Sequence, residues 1–124
     1  LDRVCNASAG IGVIIGVPEP NPDIEGKPLF NAAAVLWDGK LLGMHRKVLL
    51  PTYDVFDEAR YFEPGPDPVV FDTPAGRLGV TICEDIWNDK YVWNHRPYHN
   101  DPMDTIGKAG VDIVINISAS PFER

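Results

Sequence analysis

One cysteine in this sequence lies where a nucleophile would be useful. Cys83 ends the apolar run RLGVTIC (77–83) and is followed directly by Glu84 and Asp85. A thiol at the end of a strand is partly exposed, and main-chain N–H groups of the following turn can bind the oxyanion that forms when a thiolate attacks a carbonyl. Because most free cysteines only fill a hydrophobic core, a purely structural role is the alternative.

Lys47 and Glu58 are two charged residues that could assist such a thiol. Lys47 ends the predicted strand KLLGMHRK (40–47), and an ammonium beside a thiolate can stabilise the oxyanion. Glu58 lies among aromatic residues in FDEARYFEPG (56–65), where a buried carboxylate needs a cationic partner. We predict that it orients Lys47 or a substrate amine. The alternative for both residues is ordinary surface charge, and Cys5 receives no role.

The composition is that of a folded, acidic domain. Its 124 residues are 44% hydrophobic and 23% charged, with a net charge of −7. The 11 Lys and Arg residues are scattered, which argues against nucleic-acid binding because proteins neutralise phosphates with clustered cations. No apolar run is long enough to span a membrane. Two cysteines cannot form a disulfide framework, so we expect reduced thiols and a cytoplasmic protein.

A metal site is not predicted. His95 and His99 have the i, i+4 spacing of helical ligands, but Pro97 between them breaks the helix that would align them. No Cys or carboxylate completes a ligand pattern such as HExxH or CxxC. We therefore expect loop histidines at these positions.

The spacing of apolar residues predicts strands that alternate with helical or loop connections. Long loops follow the strands that end in Lys47 and Cys83, and ligands bind beside such strand ends in open α/β sheets. Asp38-Gly39 predicts a hairpin, and MDTIGKAG predicts a helix. These elements together indicate a mixed α/β sheet. The predicted strands cover residues 10–17, 30–37, 40–47, 68–71, 77–83 and 111–118, and the predicted loops cover 18–28, 51–68 and 84–104.

Four segments, taken in order, resemble the carbon–nitrogen hydrolase (nitrilase) superfamily. They are HRKVLLP (45–51), FDEARYFEPG (56–65), GVTICEDIW (79–87) and NISASPF (116–122). The resemblance implies a four-layer αββα sandwich that hydrolyses carbon–nitrogen bonds with a Glu–Lys–Cys triad and no metal. Matched motif by motif, it makes Lys47 the triad lysine, Cys83 the nucleophile and Glu58 an additional glutamate that braces the site.

The general-base glutamate of that triad belongs to a motif that precedes the first strand of this chain, and no residue here matches it. The chain also begins with Leu1 instead of Met and stops shortly after its last predicted strand. We therefore expect residues 1–124 to be part of one hydrolase domain, truncated at both ends.

Within the superfamily, the patterns LPxYxVFDExRYF, CEDxW and NxSASP are similar to the glutaminase domains of glutamine-dependent NAD synthetases. This resemblance implies that glutamine is the substrate, that Tyr53 and Trp87 line its pocket, and that Ser118 and Ser120 present polar groups to it. It also implies a C-terminal synthetase domain in the same chain, which would use ATP and Mg²⁺ to amidate deamido-NAD, and no cofactor in this part. We expect a homo-oligomer.

Two alternatives stay open. One is a stand-alone nitrilase-like amidase or carbamoylase acting on another small amide, which would lack the SGGxDS motif of a following synthetase domain. The other is a catalytically silent binding domain, against which Cys83 and Lys47 at strand ends argue. The segment 88–104 is longer and more aromatic than the corresponding connection of the glutaminase domains, and it leaves one wall of the pocket undetermined.

Overall fold

Two three-stranded sheets form the body of the domain in a computed structural model, which describes residues 1–53, 56–88, 91–92, 94–95 and 97–119. Of two short 3₁₀ helices, Glu58–Arg60 follows the last strand of the first sheet, and Cys83–Ile86 lies between the second and third strands of the second sheet. Neither α-helix in the described ranges has the length and hydrophobicity to cross a membrane. In chain order the elements are α1 (Asp2–Ala7), β1 (Gly12–Pro20), β2 (Leu29–Trp37), β3 (Lys40–Arg46), β4 (Val70–Thr73), β5 (Gly76–Ile82), α2 (Pro102–Ala109) and β6 (Ile113–Ile117).

The first sheet is an antiparallel meander in the order β1-β2-β3. Its second hairpin turns at Asp38 and Gly39, whose φ angles of 48° and 75° are both positive. Turns of this kind match the right-handed twist of the strands they join, and Asp-Gly is one of the few sequences that adopts them readily. The hairpin predicted at these two residues is therefore present.

The second sheet has the order β4-β5-β6 and is mixed, because β4 pairs antiparallel and β6 pairs parallel to β5. Helix α2 lies in the connection from β5 to β6 that a parallel pair requires. It starts after the N-cap Asp101 and ends at Gly110 with a φ of 69°. Its buried Ile106 packs over Gly79 of β5, where a Cβ atom would lie 2.6 Å from Ile106 Cγ2. This glycine allows the helix to lie directly against the strand.

The two sheets pack against each other through apolar side chains, so the core lies between β2 on one side and β4 and β5 on the other. Burial of this apolar surface is the main force that holds the sheets together. The mixed α/β fold predicted from the sequence is confirmed. The buried cluster consists of Ala33, Val35, Phe71, Leu78, Val80 and Ile82.

Strand β1 is longer than predicted. It continues through Pro18 to Pro20, where the sequence indicated a loop, and Pro20 pairs with Leu29 of β2. Proline lacks an N–H donor, but among the described strands β1 pairs only with β2 and so leaves one side of its backbone without a ladder. An edge strand tolerates proline for this reason.

Candidate active site

Cys83 is the first residue after β5, the central strand of its sheet. Its φ of 48° lies in the left-handed region, which costs a non-glycine residue about 1 kcal/mol. The chain turns there into the 3₁₀ helix, and the thiol is partly exposed although the preceding Ile82 is buried. Strained residues that persist at a strand end are frequent in functional sites, because the surrounding structure holds them in place to present a side chain.

Lys47 lies just after β3 and is almost completely buried, with 1% of its surface exposed. Its main-chain N–H donates to the carbonyl of Asn31 at 2.8 Å, and its carbonyl accepts the N–H of Gly65 at 2.7 Å. The ammonium donates to Oε2 of Glu58 at 2.7 Å. Because a buried cation without a partner is costly, Glu58 stabilises Lys47 in this position.

Lys47, Glu58 and Cys83 line one cavity of about 320 Å³, a volume that suits a small molecule. Two cavities of about 350 Å³ lie beside α2 and are lined by none of these three residues. The reactive side chains, and not the volume, therefore mark the first cavity as the candidate active site. Its lining consists of Asn31, Lys47, Phe56, Glu58, Ile82, Cys83, Ile117, Ser118 and Ala119.

The carboxylate of Asp85 connects the turn that carries Cys83 with the segment that follows β3. Its Oδ1 accepts the N–H groups of Val48 at 3.0 Å and Leu49 at 2.8 Å. Its Oδ2 accepts the N–H of Ile82 at 3.0 Å. Asp85 is fully buried, so these bonds are shielded from water and each is expensive to lose. One side chain therefore fixes the main chain on two sides of the cavity.

His45 completes the surroundings of this carboxylate. Its Nε2 lies 3.0 Å from Oδ2 of Asp85, and both side chains are fully buried. Nδ1 of His45 has no hydrogen-bond partner in the part of the chain that the structure describes. Asp85 acts as an acceptor toward three main-chain N–H groups, and an acceptor pairs with this imidazole through an N–H at Nε2.

Glu84 is a second nearly buried carboxylate, directly after Cys83, with 6% of its surface exposed. Its Oε1 accepts the hydroxyl groups of Tyr53 at 2.8 Å and Tyr98 at 3.2 Å. No Lys, Arg or His among the described residues forms an ion pair with it. Burial and the charge of Glu84 raise the pKa of Tyr98, so this phenol stays protonated and remains a donor. We call Tyr53, Glu84 and Tyr98 the Glu84 cluster.

Residues 5–123 match the family model described as carbon-nitrogen hydrolase. The chain belongs to the carbon–nitrogen hydrolase family. Among the similar curated proteins is a glutamine-dependent NAD(+) synthetase of a Synechocystis species, 39% identical over 115 residues, a match that covers 90% of this chain and 21% of that protein. A protein of the same name from Thermotoga maritima is 42% identical over 113 residues, which cover 91% of this chain and 17% of that protein. The chain thus spans about a fifth of the length of these relatives.

Solved structures give the same picture of this hydrolase domain. The glutamine-dependent NAD+ synthetase of Acinetobacter baumannii, in complex with ADP, aligns with a TM-score of 0.75 at 35% identity and covers 93% of this chain and 19% of that one. A carbon-nitrogen hydrolase from Helicobacter pylori aligns with a TM-score of 0.70 at 25% identity and covers 98% and 36% of the two chains. The nitrilase-like fold expected from the motifs is therefore confirmed.

The hydrolase domain brings four of the seven predicted site residues to the same cavity. Tyr53 does not line this cavity, and its hydroxyl group donates to Glu84, the residue after Cys83. Trp87 is 54% exposed and is absent from the lining, and Ser120 lies outside the described residues. The four residues in the cavity are Lys47, Glu58, Cys83 and Ser118.

Four polar residues around the site received no role from the sequence: His45, Glu84, Asp85 and Tyr98. Glu84 and Asp85 had a signal in the sequence, because an acidic pair directly after a strand-end cysteine must either be exposed or find hydrogen-bond donors. The other two had none. His45 is 40 residues from its partner Asp85, and Tyr98 is 14 residues from Glu84, so only the fold shows these pairings.

Proposed function

We propose that this domain hydrolyses the side-chain amide of glutamine through a thioester on Cys83. Membership of the carbon–nitrogen hydrolase family supports the reaction class. Similarity to proteins named glutamine-dependent NAD(+) synthetase supports the choice of amide. The geometry contributes a thiol, an ammonium and a carboxylate around one small cavity.

The reaction begins when the sulfur of Cys83 attacks the amide carbon and forms a tetrahedral oxyanion. The ammonium of Lys47 and the main-chain N–H of Glu84 stabilise this oxyanion. The C–N bond then breaks, the nitrogen takes up a proton and leaves as ammonia, and the acyl group stays on sulfur as a thioester. Water attacks the thioester, so that glutamine and water become glutamate and ammonia. The proton transfers belong to the family's general-base glutamate, which we place in sequence upstream of residue 1.

Glu58 serves this mechanism through Lys47. The 2.7 Å contact between Glu58 Oε2 and Lys47 Nζ holds the ammonium at the cavity that both residues line. An ammonium fixed in this way can stabilise an oxyanion without first having to reorient. We therefore assign Glu58 as a positioning residue.

The nearly buried carboxylate of Glu84 is the observation that carries the choice of substrate. It has two phenol donors and, among the described side chains, no cation. A buried carboxylate without a cation is costly, and the α-ammonium of glutamine would supply one. Because Glu84 follows Cys83 directly in sequence, we propose that this ammonium site is adjacent to the nucleophile. An aliphatic amide would leave the cost uncompensated.

The ammonia would be used by a synthetase domain of the same protein, which amidates deamido-NAD. ATP and Mg²⁺ would be bound by that second domain. No group of three or more His, Cys, Asp or Glu in the described part of this chain is arranged to hold a metal ion, and we assign no residue here to either ligand.

Rates of amide hydrolysis by the full-length protein on four related amides test the proposal. Glutamine is compared with 4-carbamoylbutanoate, which lacks the α-ammonium, with 4-aminobutanamide, which lacks the carboxylate, and with butyramide, which lacks both. We expect kcat/KM for glutamine to exceed that for 4-carbamoylbutanoate by about 1,000-fold or more, because the substrate without an ammonium leaves Glu84 unpaired. NAD should form from deamido-NAD and ATP with glutamine as nitrogen donor.

Comparable rates on glutamine and butyramide, with no NAD formed, would contradict the proposal. The domain would then be assigned to a stand-alone amidase or carbamoylase that acts on another small amide. Absence of hydrolysis on every amide, in a folded full-length protein, would favour the silent binding domain.

A further inference from the structure

The side chain of Asn88 joins the two ends of the segment that connects the 3₁₀ helix at Cys83 with helix α2. This side chain is 1% exposed, and its Nδ2 donates to the main-chain carbonyl of Tyr98 at 2.9 Å and to that of Asn100. The carboxylate of Asp101 then caps the first turn of α2. The two ends of the segment are thus tied together, and Tyr98 is held at a defined distance from the active-site turn.

This closure directs the phenol of Tyr98 to Glu84. Tyr98 reaches the carboxylate from the C-terminal side of the sequence and Tyr53 from the N-terminal side, and both hydroxyl groups donate to the same oxygen, Oε1. In the described part of the chain no hydrogen bond is made to Oε2 of Glu84. The protein thus fixes one oxygen of this carboxylate, and among the described residues the other oxygen keeps its hydrogen-bonding capacity unused.

Tyr98 contacts the residue that directly follows the nucleophile, because its hydroxyl group donates to Glu84 at 3.2 Å. The raised pKa of its phenol has burial as the largest cause and the charge of Glu84 as the next, and the charge of Glu58 contributes in the same direction. Glu58 lines the cavity together with Cys83. The phenol therefore stays protonated and remains a hydrogen-bond donor to Glu84.

We propose that Tyr98 is a specificity-determining positioning residue: by fixing Oε1 of Glu84, it presents Oε2 to the α-ammonium of the substrate and so selects α-amino amides over amides without that group. This inference rests on the proposed glutaminase function. Its physical basis is preorganisation, because a carboxylate already held in its bound orientation loses little freedom when the ammonium arrives. Tyr98 touches no reacting atom.

Substitution of Tyr98→Phe in the full-length protein tests the inference, because it removes the hydroxyl and keeps the ring. We expect kcat/KM for glutamine to fall by about tenfold, mainly through a higher KM, as for loss of one hydrogen bond to a charged group. The value for 4-carbamoylbutanoate should not change, so the preference for glutamine falls by the same factor. Tyr91→Phe is the matched control, since Tyr91 is on the same segment and 86% exposed; it should leave both values unchanged.

The variant Asn88→Ala tests the route by which the segment acts. If Asn88 contributes to selectivity by placing Tyr98, the double variant Asn88→Ala/Tyr98→Phe should be as selective as the less selective of the two single variants. Independent roles of the two residues would instead give additive losses of selectivity. Additive losses overturn the route through Asn88. Should Asn88→Ala fail to fold, the result with Tyr98→Phe alone decides the inference.

Two outcomes for Tyr98→Phe would overturn the inference. An unchanged preference for glutamine over 4-carbamoylbutanoate would show that the hydroxyl selects nothing, and an equal fall on both substrates would show that Tyr98 only supports the fold. A wild-type protein with no such preference would instead overturn the proposed function, and it would do so before any variant is made.

Discussion

The imidazole of His45 lies 3.0 Å from the carboxylate of Asp85, and this buried contact joins the end of β3 to the turn that carries Cys83. The same carboxylate accepts the N–H of Val48. Lys47 lies between His45 and Val48 in sequence, so Asp85 holds the chain on both sides of the lysine. The position of Lys47 relative to Cys83 thus depends on Asp85, which does not itself line the cavity.

Substitution Asp85→Asn should destabilise the domain and misplace its reactive groups. An amide keeps one acceptor oxygen, but its N–H₂ group points either toward His45 and the N–H of Ile82 or toward the N–H groups of Val48 and Leu49, where donors would face each other. We expect a loss of about 3 kcal/mol in the free energy of unfolding, because buried donors are left unpaired. Chemical denaturation and the rate of glutamine hydrolysis at a temperature where the variant is folded measure the two effects.

Asp72→Asn is the control for this change, because that side chain is 85% exposed beside Arg77 on the second sheet. It should change the free energy of unfolding by less than about 1 kcal/mol, because exposed ion pairs contribute little to stability. Equal stability of the Asp85 and Asp72 variants would show that Asp85 does not hold the two segments together.

Covalent labelling should distinguish the two cysteines. A glutamine-analogue electrophile should modify Cys83, which lines the cavity. It should leave Cys5 unmodified, because the thiol of Cys5 lies outside that cavity and donates to the carbonyl of Gly39 at 3.2 Å. Peptide mapping by mass spectrometry identifies the modified residue. The Cys5→Ala variant should be labelled at Cys83 to the same extent as the wild-type protein. Modification of Cys5 with Cys83 untouched would refute the assignment of the nucleophile.

The left-handed backbone at Cys83 predicts an unusual order of stability for two inactive variants. Glycine adopts a φ of 48° without the steric cost that any Cβ carries, so Cys83→Gly should be more stable than Cys83→Ala by about 1 kcal/mol. Both variants lose the thiol, so the comparison isolates the backbone. Denaturation midpoints of the two proteins check it, and an alanine variant at least as stable as the glycine variant would show that no strain is held there.

Loss of either partner in the Lys47–Glu58 pair should stop hydrolysis. Lys47→Met removes the oxyanion partner and should lower kcat by about 1,000-fold, while Glu58→Ala leaves a buried ammonium unpaired and should lower it nearly as much. Steady-state kinetics and circular dichroism separate chemistry from unfolding. Lys40→Met, an exposed lysine at the other end of β3, should retain normal turnover. Near-normal turnover of either active-site variant would make that residue ordinary charge.

Substitution Glu84→Gln should change substrate preference more than catalysis. The amide keeps an oxygen for the hydroxyl groups of Tyr53 and Tyr98 but loses the charge that would bind an α-ammonium. We expect KM for glutamine to rise by about 100-fold, with rates on butyramide unchanged, because a charged hydrogen bond is lost only with the first substrate. Kinetics on both amides measure this. Glu25→Gln, in an exposed loop, is the control and should change neither rate. If Glu84→Gln lowered kcat/KM equally for glutamine and butyramide, that result would contradict an ammonium site.

Local features of the chain were predictable from sequence because they depend on neighbouring residues. Asp38-Gly39 forms the expected turn, since both residues accept a positive φ, and apolar runs mark most strands within a few residues of their ends. Cys83 and Lys47 could be placed at strand ends for the same reason. The motifs around them were sufficient for the family and for the type of chemistry.

Only the tertiary structure determined which side chains meet. The sequence predicted that a buried Glu58 needs a cation, but its contact with Lys47 depends on the loop after β3 folding back over the strand end. The pairings of His45 with Asp85 and of Tyr98 with Glu84 cross 40 and 14 residues. Such contacts are set by the packing of two sheets and by loop closure, whose free energy is shared among many residues, so no spacing pattern along the chain encodes them.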